Sequence, residues 1–122
     1  MDRSYESVII IDPNVSNAVV NEIVGHVKDI VTNSGGVIVA EENMGIRHLS
    51  YEIKHKKNGI YYLFEFECAP NLIKDLETMY RRNEKIIRFL TCALDVHGVE
   101  YNKNKRNTKK NEQDLIKNEV SL

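Results

Sequence analysis

Apolar residues in this chain follow two alternating periods, and the switches divide it into short elements. Tyr5 to Ile11 is a β-type run whose last four members, Val8-Ile9-Ile10-Ile11, are apolar on both faces. That pattern fits a strand covered on both sides, hence a central one. Asp12-Pro13-Asn14 breaks it. Ser16 is suited to cap a helix N-terminus, and after it Val19, Val20, Ile23, Val24, Val27, Ile30 and Val31 recur at i, i+3, i+4, i+7 spacing. The spacing predicts a helix with one buried stripe. Gly35-Gly36 follows where a left-handed cap is expected.

Period two then returns. Val37 to Glu42 opens a second strand, interrupted around Asn43–Gly45 and resumed through Leu49, Tyr51 and Ile53. Lys56-Lys57-Asn58-Gly59 predicts a hairpin turn through its Asn-Gly pair. Ile60 to Cys68 is the third strand. Tyr62, Phe64, Phe66 and Cys68 share one face, and Tyr61, Leu63, Glu65 and Glu67 share the other. Glu65 and Glu67 are expected on an open sheet face, solvated or toward a partner. Pro70 opens a second helix with the stripe Leu72, Ile73, Leu76, Met79 and Tyr80, and Ile86 to Leu94 forms a fourth strand.

The order βαββαβ predicts an α+β, ferredoxin-like sandwich, a four-stranded antiparallel sheet with two helices on one face. Right-handed crossovers make the first and third strands central. After Asp95 the pattern fades. Residues 102–112 contain no apolar residue and read as a solvated, flexible tail. The organisation expected is therefore a folded domain over 1–97 and a charged C-terminal tail over 98–122, flexible in isolation. The final residues, 112–122, suit a short amphipathic helix on a partner but are too short to be stable alone.

Composition narrows the class. The 122 residues suffice for one domain with one core, and 42% are hydrophobic, as in soluble globular proteins. Net charge is −1, which excludes a polycation. Residues 1–97 hold 11 Lys and Arg against 14 Asp and Glu, while 98–122 hold 6 against 4. A nucleic-acid site would thus be a local patch on a mildly acidic body. Cys68 and Cys92 each lie in an apolar run and read as reduced core thiols of a cytoplasmic protein. No basic start leads into an apolar signal, and no apolar run reaches the length of a membrane span.

The candidate chemistry is cationic. Arg47, Lys54, Lys56 and Lys57 flank the predicted hairpin, and Arg81, Arg82, Lys85 and Arg88 form a second group. Arg81 and Arg82 also favour a helix C-terminus through its dipole, and hairpin lysines are common at soluble turns. The two groups and a basic tail, set together in an acidic body, point to RNA phosphates. The third strand only superficially matches an RNA-recognition signature, since Asn58 precedes Gly59 and Tyr61 stands where a small residue belongs. Tyr62, Phe64 and Phe66 share the face expected to pack on the helices, so they read as core rather than as stacking platforms. His26, His48, His55 and His97 show no metal-ligand spacing. No nucleophile elbow, P-loop or dinucleotide fingerprint occurs, so neither catalytic residues nor a cofactor are expected.

These residues in order resemble the bacterial small-subunit ribosomal protein six family. The likeness rests on Tyr5-Glu6, Asp12-Pro13, Gly35-Gly36, then Arg47, Leu49, Tyr51 and Ile53 at alternate positions after Gly45. It continues through Lys57, Gly59 and Tyr61, Leu63-Phe64 and Phe66, Leu76-Glu77, and Arg81-Arg82-Asn83-Glu84 into Ile86 and Arg88-Phe89-Leu90. It covers about residues 3–97. The resemblance implies a non-catalytic ferredoxin-like protein of the cytoplasmic ribosome. It also implies binding to the central domain of small-subunit ribosomal RNA, as a heterodimer with the eighteenth small-subunit protein, and a role in assembly and translation. By motif position it marks Arg47, Arg81, Arg82 and Arg88 as RNA or partner contacts. The chain departs from many relatives in Met44 for a large aromatic and Glu52 for proline. Its end, Glu-Val-Ser-Leu, also differs from the acidic tail that some relatives carry for added glutamates. The rival reading is a ferredoxin-like domain that senses a small molecule. Such a domain needs glycine near the first helix N-terminus, and Asp12 to Ser16 contains none.

Overall fold

The computed structural model describes residues 2–120, with side chains through residue 108. Seven elements follow one another: β1 (Arg3–Ile11), α1 (Asn17–Asn33), β2 (Val37–Ile53), β3 (Lys56–Cys68), α2 (Leu72–Arg82), β4 (Ile86–Leu94) and α3 (Val96–Val120). The sheet has the order β2-β3-β1-β4 and is antiparallel throughout, with β3 and β1 central as the crossover rule requires. The fold is the ferredoxin-like α+β sandwich expected from the element order.

α1 and α2 cover one face. Val20, Ile23, Val24, Val27 and Val31 of α1 and Leu72, Leu76 and Tyr80 of α2 meet Ile9, Ile11, Phe64, Phe66 and Cys68 of the central strands. The aromatics Tyr62, Phe64 and Phe66 belong to this core. Ser16 caps α1 by accepting the Val19 amide at 3.3 Å, and Gly35 closes the helix at φ +90°. Ser7 is the polar exception within the core, fully buried. Its hydroxyl lies 2.9 Å from Tyr80 Oη and 3.1 Å from Thr91 Oγ1, so the network is satisfied. Burial raises the Tyr80 phenol above its ordinary 10.0.

Three expectations are corrected here. The hairpin turns at Lys54-His55, not at Asn58-Gly59. Both turn residues have positive φ, 51° and 66°, between the closing pair Ile53 and Lys56. Asn58 and Gly59 lie inside β3, opposite His48 and Arg47. Glycine is required at 59 for space: a Cβ there would run into Ile10 Cγ2. Between His48 and Ile53, β2 bulges over Lys57, and this sets Leu49 against Ile10 and Ile87 as a second small core on the opposite face.

Cys92 is the second correction. It is exposed, because it alternates with Thr91 and Ala93 on a β4 segment whose outer face has no helix pair above it, whereas Cys68 is buried. Glu65 is the third. It is 2% exposed rather than solvated, because α3 lies over that end of the sheet's other face. Asp95 Oδ1 accepts the Gly98 amide at 2.7 Å and so caps α3. The domain boundary expected at residue 97 falls within this helix. The side-chain faces of an amphipathic helix over 112–122 lie outside the described residues.

Candidate nucleic-acid interface

The cationic residues gather around one end of the sheet, where β1 finishes and β3 and β4 begin. Two connections hold this end together. The Asp12 amide donates to the Lys85 carbonyl at 2.7 Å, joining the end of β1 to the start of β4. Lys56 Nζ lies 3.4 Å from Asp12 Oδ2, which ties in the hairpin. The Asn14 amide donating at 3.0 Å, with Lys56 and Lys85 nearby, holds the Asp12 carboxyl below its ordinary 3.8.

The second cationic group follows from the way α2 ends. Arg81 and Arg82 occupy its last turn, where the helix dipole favours them. Asn83 then accepts the Lys85 amide at 2.9 Å through its side chain, and the chain turns straight into β4. The Arg81 guanidinium sits over the Phe89 ring, 5.6 Å from its centroid, on the helix-covered side. Arg88 points to the other side, where its Nη1 donates to Tyr51 Oη at 2.6 Å. Arg47 lies on that side too, 5.9 Å over the Tyr61 ring. Arg47, Arg81 and Arg88 are thus each held by an aromatic ring or hydroxyl while the charge faces water.

Lys54 and Lys57 are exposed at the hairpin tip, and with Arg82 they have no side-chain partner among the described residues. The eight predicted cations therefore do not converge on one pocket. They wrap the sheet end, with Arg81 and Arg82 on the helix side, Arg47 and Arg88 on the opposite side, and the lysines between. Such a belt suits an extended polyanion, since each phosphate contact is shallow and separately solvated.

Sequence reasoning missed the residues that organise the opposite face. Tyr51 is 63% exposed and Leu90 62% exposed. With Val8, Ile10, Leu49 and Arg88 they border a cleft of about 260 Å³. Its signal was available in the bulge-prone stretch from Gly45 to Ile53, but nothing local says which strand that stretch folds over. Asn102 and Arg106 escape sequence reasoning as well, because a segment without apolar residues reads as solvated.

Comparison with known proteins places this geometry. The family model described as Ribosomal protein S6 matches residues 4–93. The small ribosomal subunit protein bS6 of Phocaeicola vulgatus is 41% identical over 107 residues, covering 88% of this chain and 94% of the relative. The bS6 of Porphyromonas gingivalis is 42% identical over 107 residues, covering 88% and 92%. The crystal structure of 30S ribosomal protein S6 from Thermotoga maritima superposes with a TM-score of 0.74 at 34% identity, covering 89% of this chain and 99% of that one.

Proposed function

The chain belongs to the ribosomal protein S6 family, and from that premise we propose how it works as a structural, non-catalytic constituent of the small ribosomal subunit. It binds small-subunit ribosomal RNA in the central domain, as a heterodimer with the eighteenth small-subunit protein. Family membership across nearly the whole folded region carries this reading. Two features of the site support it. The exposed cations Arg47, Lys54, Lys57, Arg81, Arg82 and Arg88, with the half-buried Lys56 among them, form a belt for phosphates on a body that is otherwise mildly acidic. The cleft beside Leu90 and Tyr51 is an apolar surface of the kind a protein partner covers.

The mechanism is cooperative assembly. Each cation contributes little alone, but docking two proteins as one unit makes the later contacts intramolecular and orders the RNA between them. Two measurements test this. The protein should co-sediment with small ribosomal subunits, and a free pool with no ribosomal fraction would exclude the role. Replacing Arg81, Arg82 and Arg88 together by Gln should flatten the slope of log K against log salt by roughly two to three units. An unchanged slope in the folded variant would remove these three as backbone contacts.

A further inference from the structure

Glu65 faces the sheet side away from α1 and α2, yet its side chain is only 3% exposed. What covers it is α3. Arg106 Nη1 donates to Glu65 Oε1 at 2.9 Å, and Asn102 Nδ2 donates to the same oxygen at 3.0 Å. Asn102 also lies 3.4 Å from Glu6 Oε2. The two donors are one helical turn apart, so a single face of α3 reads both carboxylates. Apolar anchoring is slight: Leu94 lies close beside Gly98, and residues 102–108 contain no aliphatic or aromatic side chain. A helix of this composition frays when undocked. Undocking, moreover, returns Glu65 to water, so no unpaired buried charge remains to forbid it.

We propose that α3 is a displaceable strap, latched by Arg106 and Asn102 onto Glu65, and that a cationic segment of a protein partner takes these carboxylates when the strap leaves. The second half rests on the ribosomal reading. Charge selects the occupant: Glu6 and Glu65 side by side repel phosphate and attract a guanidinium or ammonium group. Once released, residues 98–120 are the flexible tail their composition describes.

The latch is tested on the free full-length chain by amide hydrogen exchange. Glu65→Gln and Arg106→Gln should each speed exchange across residues 99–108 by roughly tenfold, leaving α1, β1 and β3 protected. The charge-swapped pair Glu65→Arg with Arg106→Glu should restore protection. Unaltered exchange in Arg106→Gln, or no recovery in the swap, overturns the latch. Displacement is tested by association with small ribosomal subunits depleted of this protein, compared with protein-free small-subunit ribosomal RNA. Arg106→Gln, which frees Glu65, should associate with the subunits faster by roughly tenfold. Glu65→Gln, which removes latch and docking site together, should show no gain, and neither variant should gain on naked RNA. Equal gains for both variants, or a gain on RNA alone, overturn a protein occupant. If the ribosomal reading itself fails, the wild-type chain will associate with neither, while the exchange results still decide the latch.

Discussion

Gly59 shows how far a single residue can mislead and then explain itself. Asn-Gly is a strong turn signal, yet here it sits inside β3 because the glycine has a different task. The backbone at 59 passes so close to Ile10 that any Cβ would strike Cγ2. Gly59→Ala should therefore destabilise the fold by about 1–3 kcal/mol through overpacking, read as a lower urea midpoint at constant slope. A neutral result would mean that Ile10 can move aside. Glu65 teaches the opposite lesson. Strand alternation put it correctly on the sheet side away from α1 and α2, but alternation says nothing about what lies above a face. Its counter-ion, Arg106, is 41 residues away, and no local pattern reports a pairing of that span.

At the scale of elements, the helical stripes and strand alternation were legible because both record burial directly. The apolar run predicts β4 at its observed ends, Ile86 and Leu94. The hairpin is less legible, because two turn signals compete within six residues and the winner depends on the bulge over 49–52. The actual turn puts Lys54 and His55 at positive φ, which costs a residue with a Cβ about 1 kcal/mol or more. Replacing the pair by Asn-Gly should raise stability by about 1 kcal/mol, or roughly 4 °C in Tm. A loss of stability instead would mean that the two side chains make compensating contacts. α3 reads from sequence as a solvated tail because it lacks an apolar stripe, and its docking through Asn102, Arg106 and the Asp95 cap depends on partners the segment does not contain.

For the whole molecule, stability should depend on pH in a direction set by buried neutral acids. Burial pushes the Cys68 thiol from 9.0 up to about 11 and raises the Tyr80 phenol above 10.0. A raised pKa means the folded state holds its proton longer than the unfolded chain does. The stabilisation is complete below the unfolded value and is lost as pH climbs from there through the raised folded value. Asp12 is shifted the other way, so its contribution disappears as pH falls below 3.8. The urea midpoint should stay nearly level between about pH 4 and pH 9 and then fall steadily. A level midpoint through about pH 11 would show that the two groups ionise without unfolding, contrary to their burial. The same scale separates the two sources of knowledge about this protein. Sequence by itself determined the first six elements and their βαββαβ order, the central strands, the composition of the helix-covered core and the family likeness. Each of these is written in local periodicity or in the spacing of residues along the chain. Tertiary structure alone decided which cations share a side of the sheet end, what Leu49 and Tyr51 fold over, and that α3 closes on Glu65. Those depend on charges and side chains that meet across long stretches of chain, and periodicity carries no record of them.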